Sequence, residues 1–325
     1  MNSKHWRAAI LTLGIFPFLM ACSKPDQQVN VETEVNNAMD SLVTAQWLKE
    51  NLDDPDLVVL DATVLVESDG AGNFKTVNGR AHYESGHIPK AVFADLKGEL
   101  SDSESPIGYA VPSPEQFAAA MGALGVGDNT RVVIYDDNTS SWAARVWWML
   151  RWVGFDNSAL LDGGLEAWKT QGYELSTEPE NRVPRELTVN LRPELIVDRQ
   201  EVLAAIEDDS VILQDALMES QYRGDISMYA RPGHIPTATN VPMMSILDDS
   251  GKYKSPEELE GLFSGARDVR TINYCGGGIS ASNNAFIMHR LGYKDVAVYT
   301  ASLQEWSADP SNPLVTGPLP NGTEK

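Results

Sequence analysis

The chain has 325 residues, 42% of them hydrophobic and 22% charged. That is too long for one comfortable core and too apolar for a disordered protein, so two domains are expected. A formal net charge of -21 repels phosphate backbones and excludes nucleic-acid binding. Two cysteines and five scattered histidines leave neither a disulfide scaffold nor a zinc site, and no metal or cofactor is expected.

The chain opens on a leader. Lys4 and Arg7 form a basic segment, and Ala8 to Met20 form an apolar run of 13 residues. A spanning helix needs ~20, but this length suits a signal peptide over residues 1–21. Leu19-Met20-Ala21-Cys22 resembles the bacterial lipobox, which implies that Cys22 is lipidated as the first mature residue. Residues 22–40 are polar and aperiodic and read as a tether. The expected location is therefore the periplasmic side, with the chain held to a membrane, the outer one in a Gram-negative cell, by its lipid anchor. Cleavage makes the chain more negative and leaves Cys275 as its one free thiol. An unpaired thiol in an exported protein is a liability unless it is used.

The remainder is one unit written twice. Asp61-Ala62 closes an apolar run, as Asp215-Ala216 does later. Gly86-His87-Ile88-Pro89 returns as Gly233-His234-Ile235-Pro236, Tyr135 returns as Tyr274, and Leu165 to Trp168 returns as Leu303 to Trp306. The separation shrinks along the chain, as loop-length differences would make it do. The domains are expected at 41–172 and 198–310, with a Pro- and charge-rich linker at 173–197 and a tail at 311–325. Both histidines read as parts of a tight structural turn.

Apolar runs at Leu57–Leu60, Arg131–Tyr135, Ala159–Leu161, Val211–Leu213, Thr271–Tyr274 and Val296–Val298 predict buried strands. Ser-Pro starts at Ser113 and Ser255, and helical spacing over Ser141–Val153 and Ser280–Leu291, predict the helices between them. Alternation of this kind means an α/β fold, each domain a mostly parallel sheet flanked by helices. Sites in such folds lie beyond the carboxyl ends of the strands.

One strand end stands out. Tyr274 is followed by Cys275-Gly276-Gly277-Gly278-Ile279-Ser280, where a helix begins. Three glycines let backbone amides turn inward, and the helix start adds partial positive charge. The arrangement suits a nucleophilic thiolate or a bound anion held by the amides of Gly276 to Ser280. Gly277 is expected to be the position where a Cβ is excluded. Alignment of Tyr135 with Tyr274 sets Asp136 opposite Cys275, so the first domain keeps the fold without the thiol.

These residues resemble the tandem-domain rhodanese-type sulfurtransferases, the thiosulfate and 3-mercaptopyruvate sulfurtransferases, over roughly residues 40 to 310. The likeness rests on Ala45-Gln46-Trp47-Leu48, both Gly-His-Ile-Pro turns, Arg145-Val146-Trp147-Trp148, Leu161 to Leu165 before Trp168, and Tyr274 to Gly278. It implies two rhodanese-like domains, the first inactive, and a double displacement. Cys275 takes a sulfane sulfur from a small anionic donor as a persulfide and passes it to a thiol or cyanide. The six-residue loop suits sulfur. Related phosphatases close a longer loop with Arg, and the sixth position after Cys275 is Ala281.

Several family positions differ here. Gly276 and Gly278 stand where thiosulfate enzymes carry basic residues, and Gly277 stands where mercaptopyruvate enzymes carry Ser. Tyr109 replaces the family His, and Asp215-Ala216-Leu217 replaces Asp-Ser-Arg. Thr300-Ala301 interrupts the family's Tyr-Asp-Gly-Ser at Tyr299 to Ser302. With those cations gone, Arg231 and Arg223 are the candidates for contacting the donor. A sulfane-sulfur carrier with little turnover is the competing expectation, and a scaffold that does not use its cysteine is a weaker one.

Overall fold

The computed structural model describes residues 39–318 except 69, 71–73, 138 and 264. The leader, Cys22 and most of the tether lie outside the described residues.

The first domain carries β1 (Leu42–Val43), α1 (Ala45–Asn51), β2 (Leu57–Asp61), a hairpin of β3 (Val64–Ser68) and β4 (Phe74–Asn78), then α2 (Arg80–Ser85) and β5 (Ala91–Phe93). It continues with α3 (Pro114–Ala123), β6 (Arg131–Tyr135), α4 (Ser141–Trp152), β7 (Ser158–Leu161) and α5 (Gly164–Thr170). The second domain has β8 (Ile196–Val197), α6 (Arg199–Ile206), β9 (Val211–Asp215), α7 (Glu219–Tyr222) and β10 (Thr239–Asn240). After these come α8 (Pro256–Glu260), β11 (Arg270–Tyr274), α9 (Ile279–Arg290), β12 (Val296–Tyr299) and α10 (Ser302–Trp306).

Each domain is built on a five-stranded sheet, in the orders β1-β7-β6-β2-β5 and β8-β12-β11-β9-β10. All neighbours within these sheets run parallel. Central strands buried on both faces explain the unbroken apolar runs. The expected strands are present, each extended by no more than two residues. Ser113 caps α3 by accepting from the Gln116 amide, and Ser255 with Glu258 forms a full capping box on α8.

The repeat holds at the level of single hydrogen bonds. Tyr135 and Tyr274 each accept, through the phenol oxygen, from the backbone of the turn, at Ile88 and Ile235. His87 stacks on Tyr83 and His234 on Tyr222, and each ring bonds that tyrosine's carbonyl through Nδ1. These contacts fix the turn. Both histidines are buried structural parts.

Helix α4 departs from the one-faced pattern. Eleven of its twelve residues are buried, all but Arg151. It lies between its own sheet and α9 of the second domain, with Trp147 edge-on to Phe286 at 4.8 Å. Buried residues of both domains therefore form one continuous core. The segment between the domains runs along the first domain, pinned by Arg185 and Arg192 on Asp56 and Asp156.

Candidate active site

Cys275 follows β11 directly and is 2% exposed. Its Sγ accepts a hydrogen bond from the Gly278 amide at 3.1 Å, and its own amide donates to Ser302 Oγ at 3.1 Å. Gly278 caps α9 with φ +78°, a conformation that glycine adopts without steric cost. A Cβ there would lie 2.7 Å from the Thr300 backbone. Gly278 is therefore the glycine required by the backbone itself. Gly277 meets only the movable amide of Gln304, and at Gly276 a Cβ would collide with the Tyr229 phenol.

The first domain shows what this loop does to an anion. Asp136 follows β6 as Cys275 follows β11, and its carboxylate accepts from the amides of Ser140, Trp142 and Ala143 at 3.0 Å each. Ser140 is the left-handed cap of α4, as Gly278 is of α9. The counterparts of these three donors are Gly278, Ser280 and Ala281. In the first domain a built-in carboxylate fills the cradle; in the second, the thiol stands at its edge.

The interface crosses over symmetrically. Asn283, four residues into α9, donates to the Thr139 carbonyl at 3.0 Å in the first-domain loop. Arg145, four residues into α4, reaches the second-domain loop and donates from Nη2 to the Tyr109 carbonyl at 2.9 Å. Its Nη1 and Nε are buried without a hydrogen-bond partner. Burial pushes the guanidinium down to about 10, while a Cys275 thiolate would hold it up. The carboxylate loop faces a neutral amide, and the thiol loop faces a cation. Sequence reasoning named Arg145 only as part of a motif. The available signal was a lone charge in the middle of an all-apolar helical stretch, because such charges are rarely buried without a use.

A cavity of about 360 Å3 opens between the domains onto Cys275. Gly276, Gly277, Ile279 and Ser280 line it from the loop, with Leu217, Tyr229, Met243 and Gln304 from the second domain. Val66, Tyr109, Thr139, Ser141 and Trp142 close it from the first. Gln304 bridges the two, accepting from the Gly108 amide at 2.9 Å. Gly278 is not in the lining, because its amide points at Sγ from behind. Tyr229 was not anticipated from sequence. Burial first, then the charges of Cys275 and Asp215, raise its phenol well above the ordinary value, so it stays a hydrogen-bond donor.

The expected cations are placed elsewhere. Arg231 donates to four carbonyls, of Ser307, Asn312, Trp306 and Asp309, and so holds the chain after α10. Arg223 pairs with Glu219 and Asp225. Neither lines the cavity, whereas Arg145 interacts electrostatically with the thiol. Among the described residues no cluster of His, Cys, Asp or Glu could hold a metal ion.

Residues 44–171 and 198–309 each match the rhodanese-like domain family. The chain belongs to the rhodanese-like family. It is 33% identical to the probable 3-mercaptopyruvate sulfurtransferase of Pseudomonas aeruginosa, covering 85% of this chain and 98% of that one. It is 34% identical to the human 3-mercaptopyruvate sulfurtransferase over 82% of this chain and 91% of the relative. The crystal structure of the Escherichia coli 3-mercaptopyruvate sulfotransferase SseA matches with a TM-score of 0.72 at 32% identity. That match covers 81% of this chain and 99% of SseA. EanB, solved in complex with ergothioneine, shares the fold, with a TM-score of 0.74 at 24% identity over 86% of this chain and 70% of that one.

Proposed function

We propose that this sulfurtransferase works through a persulfide on Cys275. One observation carries the reading: the only thiol among the described residues lies on the floor of the interdomain cavity, at the start of α9, with the Gly278 amide on its sulfur. The names of its relatives bring 3-mercaptopyruvate and thiosulfate as donors, and a thiol or cyanide is the acceptor class. The Cys275 thiolate attacks the donor's sulfane sulfur, the donor's bond to that sulfur breaks, and its electron pair leaves with the remainder. The acceptor then attacks the terminal sulfur and regenerates the thiolate. The persulfide's outer sulfur falls to the amides of Ser280 and Ala281, as the Asp136 carboxylate does to their counterparts. Arg145 supplies positive charge from behind, and the Tyr229 hydroxyl is placed to donate from the front.

Intact mass after incubation with a sulfane donor tests this. One sulfur atom should be added, and Cys275→Ser should neither gain it nor transfer it. Transfer that persists in that variant overturns the mechanism. The uncharged cavity lining favours a second reading, a sulfane-sulfur carrier with little turnover. Steady-state turnover with cyanide separates the two.

The location is a proposal from the leader alone. The chain is exported, cut before Cys22 and held at a membrane by lipid on that residue. Cys22→Ala should block processing of the precursor, and a wild-type protein cut elsewhere and fully soluble would refute the anchor. Among the described residues no helix is long and apolar enough to cross a membrane.

A further inference from the structure

The cavity above Cys275 is large and uncharged. Its volume of about 360 Å3 falls within the range of pockets that enclose drug-sized ligands, far more than a five-atom anion fills. Apart from the Cys275 thiol, none of the described lining residues is ionisable to a charge at neutral pH. Val66, Tyr109, Trp142, Leu217, Tyr229 and Met243 form its apolar and aromatic wall, beside the polar Thr139, Ser141, Ser280 and Gln304. Leu217 and Tyr109 occupy the positions where the sequence departs from the family's Arg and His.

The nearby cations do not reach in. Arg145 is buried behind the loop, and its charge serves the sulfur on the floor. Lys97 stands 5.9 Å from the Tyr109 ring centroid, with its ammonium bonded to Thr76. A compact dianion entering this space loses its hydration and meets amide and hydroxyl donors at the floor but no cation in the lining. It must also approach a protein of net charge -21.

Apolar side chains next to the lining in sequence are exposed. Met218, Met228 and Met244 are each about half exposed, and each adjoins a lining residue in the chain. Val66, itself in the lining, is 52% exposed. Val66 is thus an exposed apolar group at the cavity, and the unbranched Met243 in the lining can adapt to varied shapes. The site thus combines a cradle for one sulfur anion with a deformable apolar wall above it.

We propose that this cavity takes as its donor an organic hydropersulfide, R–S–SH, whose R group is apolar or aromatic and packs against Trp142, Leu217, Tyr229 and Met243. The inference rests on the Cys275 persulfide reading and narrows it. The thiolate attacks the terminal sulfur, a bond forms between it and Sγ, and the donor's S–S bond breaks. R–S⁻ leaves with the electron pair and takes up the proton that the terminal sulfur carried. The products are R–SH and the Cys275 persulfide anion, with no oxidant or reductant consumed.

The test is a donor series on the mature wild-type protein: methyl, butyl and benzyl hydropersulfides generated in situ, thiosulfate, 3-mercaptopyruvate and inorganic polysulfide. The rate of sulfur gain at Cys275 is read by intact mass, and each rate is divided by that of N-acetylcysteine with the same donor. The rate should rise about two- to fourfold per methylene buried, and the benzyl compound should exceed thiosulfate and mercaptopyruvate at least tenfold. Leu217→Arg should invert that preference. Sulfur gain at a rate independent of R, or fastest with the compact anions, overturns the donor class and leaves the persulfide reading intact. Failure of every donor, polysulfide included, to load Cys275 overturns both.

Discussion

Arg145 and Gly278 belong to different domains and are in contact: a Cβ at position 278 would lie 2.8 Å from the Arg145 Nη1. The guanidinium therefore sits directly beneath the backbone that donates to the Cys275 sulfur. A buried charge of this kind is costly unless it faces an opposite one. In the proposed mechanism, the charge of a Cys275 thiolate or persulfide is that counterpart.

Removing the cation should slow the chemistry. Arg145→Met should lower the rate at which iodoacetamide alkylates Cys275 at pH 7 by about tenfold, the equivalent of ~1.4 kcal/mol in the barrier. Sulfur uptake from a sulfane donor should fall alongside it. Arg145→Lys, which keeps a charge but not the bond to the Tyr109 carbonyl, should fall between. Alkylation as fast as wild type in a folded Arg145→Met protein would remove Arg145 from the mechanism.

Gly278 and Gly277 should differ in cost. Gly278→Ala forces a left-handed backbone on alanine, ~1–2 kcal/mol, and drives its methyl into the Thr300 backbone. It should lose most activity and unfold at a lower urea concentration. Gly277→Ala meets the side-chain amide of Gln304 at 2.4 Å, so Gln304→Ala should restore much of what that variant loses. Equal damage from both single substitutions, with no rescue, would contradict the loop geometry.

Much of this was legible in the chain. The central strands announce themselves because they are buried on both faces, and the repeat because the same turn, tyrosine and tryptophan recur in order. The edge strands β1, β8 and β10 are two residues long and have no period to detect. Hairpin β3–β4 was missed because its alternation is mostly exposed. The site was half visible. Cys275 and its loop follow from local sequence, whereas Arg145 and Trp142 arrive from the other domain through the packing of α4 on α9, and Tyr109 from the loop before α3, which no local pattern encodes. Arg231 misled because a guanidinium near a turn looks the same in sequence whether it binds a ligand or four carbonyls.

The Asp136 cradle predicts a stability effect in the first domain. Asp136→Ala leaves three buried amides without their acceptor and should cost about 3 kcal/mol or more by urea denaturation. Asp136→Asn keeps an acceptor oxygen but turns an NH2 toward other donors, and should lose an intermediate amount. Cys275 in the native Asp136→Asn protein should still take up sulfur. Unchanged stability in both variants would mean that the loop amides find other partners and that the comparison between the two cradles fails.

Asp215 gives the stability a pH dependence with a definite sign. It ends β9 beside Tyr274 and is fully buried. Burial pushes its carboxyl up from 3.8 to about 7, although the Leu217 amide, donating at 2.8 Å, and the neighbouring Tyr274 hydroxyl pull the other way. The folded state thus holds a proton that the unfolded chain releases near its ordinary value. Its contribution to stability is complete below that value, declines as pH rises from about 4, and is lost through about 7. Asp215→Asn cannot ionise and escapes this decline, while its side-chain oxygen can still accept from Leu217. Urea unfolding of both proteins from pH 4 to pH 8 should show the variant gaining on the wild type by a few kcal/mol as pH rises, with the gap levelling off above pH 7. A gap that does not change with pH would show that Asp215 is already ionised in the fold, with a compensating charge or proton donor at its side.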